Sequence, residues 1–169
     1  MPVERSAGII FFCPVRSQPR RRVWAADARA HRTSNGVKEA PQGRKYLVLR
    51  SSYHGKDGKH NFWDFPKGLL DKGESGLAAA KREAKEESGI TKFEFIEGFK
   101  ETVRYFVRRD RDKKATLKFV ALFLAEAKTS KVKLSWEHDK FEWLSFGEAH
   151  KRISKLEMKK ALAKAEIFK

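Results

Sequence analysis

Glu74, Glu83, Glu86 and Glu87 accompany Arg82 in one short stretch whose residue types could bind a divalent metal. Carboxylate oxygens are hard ligands, which Mg²⁺ and Mn²⁺ prefer, and these ions take the rest of their shell from water and substrate phosphate. At about 100° per residue, the last three glutamates cluster on one side of a helix, where like charges repel one another. A bound cation would remove that repulsion, whereas the ordinary explanation is a solvated helix face.

The helix that must carry these carboxylates has clear start and stop signals. Ser75 is suited to cap it, the interior from Leu77 to Ser88 is rich in good helix formers, and Gly89 suits a left-handed stop. Gly68, before the helix, would let the chain turn sharply. Small and apolar residues would form the packing face of the helix: Leu77, Ala80, Ala84 and Ser88.

The stretch Phe65–Ile90 resembles the signature of the Nudix hydrolase family. Gly68, Glu74 and the run Arg82–Ile90, REAKEESGI, occupy its defining positions. The resemblance implies that metal ions are held by Glu83, Glu86 and Glu87, and that an ion pair between Glu74 and Arg82 supports the loop. It also implies hydrolysis of a nucleoside diphosphate linked to another moiety, which the signature does not name.

Three further stretches are similar to the asymmetric diadenosine tetraphosphate hydrolases within this family. They are Trp63–Gly68, Ile96–Lys100, and Leu134–His138 with the following Phe141–Leu144. The sequence departs from that pattern at Trp136 and at a long basic insertion. These departures concern substrate preference, because the residues that imply the chemistry are all present.

The same resemblance implies roles for residues outside the helix. Glu137 would be a further metal ligand, and Lys67 would hold a phosphate, with Lys118 as a second candidate. Tyr105 and Phe141 would stack on adenine, with ordinary sheet packing as the alternative, and His138 would orient phosphate or water unless it serves a structural hydrogen bond. Catalytic roles fall to Arg82 and to three carboxylates that could each be the general base: Glu83, Glu87 and Glu137.

Composition indicates a single globular domain over residues 1–169. The chain has 40% hydrophobic and 36% charged residues, and its net charge is +16. There is no long apolar run and no signal-peptide pattern, and Cys13 is the only cysteine, so we expect a cytoplasmic protein without disulfides or membrane attachment. The charge favours polyanions such as nucleotides and RNA, although a solubilising surface would have the same composition. Oligomeric state is left open.

The order of elements predicts an α/β fold, the Nudix α/β/α sandwich with a mixed sheet. The insertion at 16–44 reads as a long, partly disordered basic loop whose role, RNA contact or plain insertion, is open. Ser145 and Glu148 have the spacing of a capping box that opens a last helix reaching about Ile167, with Ile153 and Leu156 on its inner face. Strands are predicted at Arg5–Val15, Lys45–Arg50, Phe62–Phe65, Lys92–Val107, Thr116–Ala127 and Phe141–Leu144. The fourth, interrupted at Gly98, and the fifth suggest an antiparallel hairpin around the charged turn Arg108–Lys114.

The sequence is compatible with three functions. The first is a Mg²⁺- or Mn²⁺-dependent hydrolase that cleaves dinucleoside polyphosphates, as diadenosine tetraphosphate to ATP and AMP. The second is an RNA 5′-pyrophosphohydrolase or decapping enzyme, which the basic charge favours. The third is a noncatalytic nucleotide- or RNA-binding module, which the intact glutamate set Glu83, Glu86 and Glu87 argues against.

Overall fold

The computed structural model describes residues 2–15, 43–53, 61–108 and 115–168. Nearly all of the predicted insertion at 16–44 lies outside these ranges, as do most of the charged turn at 108–114 and the polar loop at 54–60. Within them, no helix is long and apolar enough to span a membrane. The elements are β1 Val3–Pro14, β2 Arg44–Ser51, β3 Trp63–Asp64, β4 Lys67–Leu69, α1 Gly76–Ser88, β5 Phe93–Arg108, β6 Ala115–Ala127, β7 His138–Ser145, α2 Phe146–Arg152 and α3 Leu156–Ile167.

The strands of the described chain form one mixed, seven-stranded sheet with β1 at its centre. Its main path is β3-β2-β1-β6-β5, while β4 also pairs with β1 and β7 with β2. The strand β1 runs parallel to β6 and antiparallel to β2 and β4. The apolar run that predicted the first strand therefore joins the two halves of the sheet, and the mixed sheet of the predicted fold is confirmed.

Alternate residues of β1 belong to two separate hydrophobic cores. Ile10 and Phe12 pack in the core that contains the buried residues of α2 and α3. Ile9 and Phe11 pack in the other core, with the alanines of α1. Because neighbouring residues of a strand point to opposite faces, helices cover both faces of the sheet, as the α/β/α prediction requires.

The predicted hairpin after α1 is also present. The strands β5 and β6 pair antiparallel from Phe93 opposite Ala127 to Arg108 opposite Ala115. The register shifts between Phe95 and Lys100, and Gly98 within that interval has φ of +81°. The sequence placed the interruption of this strand at the same glycine, whose missing side chain permits that conformation.

The prediction of a single last helix is wrong, because a short non-helical segment separates α2 from α3. Ser145 and Glu148 do form the capping box of α2. However, Ser154 N donates to the Trp63 carbonyl oxygen at 3.0 Å, and Trp63 N donates to Ser154 Oγ at 2.9 Å. The residues on both sides of Ser154, Ile153 and Lys155, have ψ of 134°, so the helix cannot continue through them. Ile153 is buried, as predicted, while Leu156 is exposed.

Several smaller expectations also need correction. Leu77 is 40% exposed, and Ala79 is buried in its place on the packing face of α1. The strand β2 begins at Arg44, so the insertion ends before that residue. The short strand Lys67–Leu69 was not predicted, since three residues are too few to show a hydrophobic period.

Candidate active site

The residues that cap the two ends of α1 fix where the helix begins and ends, and therefore which side of it carries the glutamates. Ser75 Oγ accepts a hydrogen bond from Ala78 N at 3.2 Å. At the other end Gly89 has φ of +69°, and its N–H donates to the Lys85 carbonyl oxygen at 3.0 Å. A left-handed glycine at this position is a common helix stop, and any larger residue would be strained there. Both caps agree with the sequence prediction.

The three glutamates of α1 differ in exposure. The side chains of Glu83 and Glu87 retain only 12% and 9% of their accessible surface, whereas Glu86 retains 56%. The Glu83 carboxylate lies directly against Gly68, and a Cβ placed on that glycine would come within 2.0 Å of it. Gly68 belongs to the regular strand β4, so the glycine serves a close approach of Glu83 rather than the predicted turn.

Arg82 joins the loop to the helix, as the sequence predicted. Its Nη2 donates to Glu74 Oε2 at 2.9 Å and to the Leu69 carbonyl oxygen at 2.8 Å. Its Nη1 donates to Glu83 Oε1 at 2.7 Å and lies 3.3 Å from Glu86 Oε2. The guanidinium therefore also contacts two of the predicted metal ligands. Arg82 thereby orients the carboxylates.

Lys67 is held between two carboxylates. Its Nζ lies 3.0 Å from Asp64 Oδ2, and its backbone N donates to Glu87 Oε2 at 2.9 Å. Burial lowers the pKa of Lys67, but Asp64 and Glu87 outweigh it, so the pKa is raised and the ammonium stays charged. Asp64 was missed by the sequence analysis. The signal that could have found it is an acidic residue three positions before the lysine, in a strand flanked by aromatic residues.

Glu137 and His138 line, together with Lys67 and Glu87, a pocket of about 210 Å³, which we call the central pocket. His138 Nε2 lies 4.0 Å from Glu87 Oε2, and burial together with Lys67 lowers the pKa of His138 to about 4. His138 Nδ1 is buried and has no hydrogen-bond partner among the described residues. The central pocket is lined by Leu49, Ser51, Phe62, Asp64, Lys67, Glu87, Glu137 and His138.

Burial of the glutamates disfavours their charged forms. Burial raises the pKa of Glu87 to about 8, with Lys67 opposing it and the Glu83 and Glu137 carboxylates adding to it. Burial likewise raises the pKa of Glu83. Removing a carboxylate from water disfavours its charged form, and so does a second carboxylate nearby. The pocket would therefore gain from a cation bound among these groups.

The donor set suits a hard divalent cation. Every predicted ligand, Glu83, Glu86, Glu87 and Glu137, offers carboxylate oxygens, the donors that Mg²⁺ and Mn²⁺ take. In the described part of the chain, no three acidic, histidine or cysteine side chains already converge as a metal site. Arg82 donates to Glu83 and Glu86, and the Lys67 N–H donates to Glu87. A cation would share these carboxylates with those partners.

The two aromatic candidates do not lie together. Tyr105 is 8% exposed and belongs to the core beneath α3, whereas Phe141 packs against the core on the α1 face. The two rings therefore cannot enclose one base between them. Lys118 pairs with Tyr105 across β5 and β6, so their side chains share a face of the sheet. The structure thus places Phe141 on the opposite face of the sheet from Tyr105 and Lys118.

The fold and pocket define a hydrolase-type α/β/α domain with a carboxylate-bearing helix, and comparison with known proteins gives its family. The model of the NUDIX domain matches residues 30–165. The chain belongs to the Nudix family.

Proteins similar to this chain include a tetraphosphatase, an Ap4A hydrolase and an RNA pyrophosphohydrolase. The asymmetrical bis(5′-nucleosyl)-tetraphosphatase of Mus musculus is 36% identical over 128 residues, covering 73% of this chain and 80% of that protein. An Ap4A hydrolase structure from C. elegans, a binary complex, aligns with a TM-score of 0.69 and 27% identity, covering 96% and 94% of the two chains. An RNA pyrophosphohydrolase of Nitratiruptor is 54% identical over 43 residues, covering 25% of this chain and 28% of that protein.

Replacing Gly68 with alanine tests the close approach of Glu83. A Cβ at this position would lie 2.0 Å from the Glu83 carboxylate carbon, so the carboxylate must move. The side chain is flexible, so we expect the thermal unfolding midpoint to change little while turnover falls about tenfold or more, as displacement of a catalytic group predicts. A matched control is Gly147→Ala, where no atom lies within 4 Å of the new Cβ. Equal turnover in the two variants would contradict the prediction.

Proposed function

We propose that the protein is a Mg²⁺-dependent pyrophosphohydrolase of dinucleoside polyphosphates, with Mn²⁺ as the alternative metal. Diadenosine tetraphosphate would be cleaved asymmetrically to ATP and AMP. The observation that carries the proposal is the central pocket, where Lys67 and His138 face Glu87 and Glu137. The similarity to asymmetrical tetraphosphatases over 73% of the chain supports the choice of substrate. We also propose that residues 1–169 form one domain, because β1 and β6 pair along their length.

Glu83, Glu86, Glu87 and Glu137 would hold the divalent metal. When bound, such a metal neutralises polyphosphate charge and lowers the pKa of a coordinated water. Arg82 would keep Glu83 and Glu86 oriented, since it already contacts both. Phosphate binding and proton transfer would belong to the groups that line the central pocket.

Lys67 would bind a phosphate of the substrate. Its ammonium is charged, its side chain lines the pocket and retains 14% of its accessible surface, and Asp64 is its ion-pair partner. Water would attack one phosphorus in line, forming a new P–O bond while the bridging P–O bond breaks and the electron pair leaves with the other nucleotide. Of the three eligible bases, Glu87 and Glu137 line the pocket, and we propose that one of these two takes the proton of the water.

A substrate panel in which products are identified tests this function. Diadenosine tri-, tetra- and pentaphosphate, 5′-triphosphorylated RNA, capped RNA and a nucleotide sugar should be compared with Mg²⁺, with Mn²⁺ and with a chelator. We expect diadenosine tetraphosphate to give the highest kcat/KM, ATP and AMP as products, and no turnover in chelator. A faster reaction with RNA, or symmetric cleavage to ADP, would overturn the proposal.

Hydrolysis of RNA 5′ ends is the second candidate function. Two observations favour it, namely the net charge of +16 and the 43-residue match to an RNA pyrophosphohydrolase. Charge attracts any polyanion and so names no particular substrate. The match covers only 25% of the chain, so it does not extend around the whole pocket. The panel above decides between the two.

A further inference from the structure

The ammonium group of Lys155 lies close to two aromatic rings that line the central pocket and its neighbouring cavities. Its Nζ lies 4.5 Å from the ring centroid of Tyr105 and 5.6 Å from that of Phe62. Phe62 lines both the central pocket and a neighbouring cavity of about 380 Å³. Tyr105 and Lys155 line a third cavity of about 550 Å³. The ammonium therefore belongs to the third cavity and lies beside a ring, that of Phe62, which lines the other two, although Lys155 is far from the Nudix signature in sequence.

The ammonium of Lys155 has no ion pair or side-chain hydrogen bond to any residue that the structure describes. The faces of the two aromatic rings attract the ammonium, but its three N–H groups donate no hydrogen bond to the described residues. Arg152, by contrast, is paired with Glu142 at 2.8 Å. Lys155 thus keeps both charge and donors available for an anionic ligand.

We propose that Lys155 binds a second phosphate of the substrate, beyond the phosphate held by Lys67. The ligand class is a linear polyphosphate, whether it belongs to a dinucleoside polyphosphate or to the 5′ end of RNA. This inference rests on the proposed function, because both require a polyphosphate in the central pocket. The rings of Tyr105 and Phe62 position the ammonium without supplying a competing negative charge, which a carboxylate partner would do.

A purely structural role for Lys155 makes a different prediction. In that case the cation would only fasten the start of α3 to the rings of Tyr105 and Phe62, and its removal would lower stability without affecting ligand affinity. A phosphate-binding role predicts that removal weakens ligand binding, whatever the cation–π contact contributes to stability. Affinity and thermal stability must therefore be measured on the same variants.

Inorganic tripolyphosphate is a suitable ligand for the test, with affinity measured by calorimetry in a chelator so that hydrolysis does not interfere. The variants are Lys155→Met, Lys155→Gln and Lys155→Arg. We expect Met and Gln to weaken binding about tenfold or more, as loss of a charged hydrogen bond predicts, while Arg stays within about threefold. Lys160→Met is the matched control, because it removes the same charge from an exposed position of α3 and should change affinity less than about twofold.

Each outcome decides the inference. Weaker binding in Lys155→Met and Lys155→Gln alone supports it, even if the wild-type protein hydrolyses no dinucleoside polyphosphate and the proposed function fails. Unchanged affinity with a lower unfolding midpoint overturns it in favour of the structural role. An equal loss in Lys160→Met also overturns it, because binding would then follow overall charge. In active enzyme, we expect Lys155→Met to raise KM for diadenosine tetraphosphate more than it lowers kcat.

Discussion

Glu87→Gln is expected to lower turnover by at least about two to three orders of magnitude while the fold survives. Loss of a metal ligand removes several kcal/mol of stabilisation from the transition state, and about 1.4 kcal/mol corresponds to a tenfold change in rate. Glu87 is 7% exposed, and burial already disfavours its charged form. The glutamine can still accept the Lys67 N–H bond, so the unfolding midpoint without metal should stay equal or rise.

Thermal unfolding gives a second readout for the same variant. A ligand that binds the native state raises the unfolding midpoint according to its concentration and affinity. Added Mg²⁺ should therefore raise the midpoint of the wild-type protein, and do so less for Glu87→Gln. The control is Glu97→Gln, at an exposed glutamate of β5 outside the pocket, which should change neither quantity. If Glu87→Gln turns over at nearly the wild-type rate, Glu87 is not a metal ligand.

Lys67→Met is expected to lower both activity and stability, for separate reasons. The phosphate loses a charged hydrogen bond, worth up to about 3 kcal/mol, so kcat/KM should fall about a hundredfold. The side chain of Asp64 is only 5% exposed and would be left without its cation. Breaking a buried ion pair in this way costs about 3–5 kcal/mol. Chemical denaturation should therefore show a large loss in the free energy of unfolding.

The double variant Asp64→Asn with Lys67→Met separates the two effects. The asparagine removes the uncompensated charge and can still accept the bond from Phe65 N, which Asp64 Oδ1 accepts at 2.8 Å. We expect most of the stability to return while kcat/KM stays low. Lys92→Met, at an exposed position between α1 and β5, should leave both quantities unchanged. Recovery of activity in the double variant would show that Lys67 serves only to balance Asp64, and the phosphate-binding role would be wrong.

The sequence by itself determined the features that depend on near neighbours along the chain. The N-terminal cap at Ser75 and the stop at Gly89 follow from local backbone chemistry, so the register of α1 and the grouping of its glutamates were predictable. The strand β1 was predictable because its apolar run is long, and the hairpin of β5 and β6 because two such runs flank a charged turn. The family followed from the spacing of the signature residues.

Only the tertiary structure decided the features that join distant segments. The break after α2 exists because Ser154 bonds to Trp63, 91 positions earlier in the chain, whereas the local pattern alone predicts a continuous helix. The same holds for the separation of Tyr105 from Phe141 and for the ammonium of Lys155 above the Phe62 ring. Local propensity and periodicity record which face of an element is apolar. They do not record which distant side chain packs against it, and that packing forms the pocket.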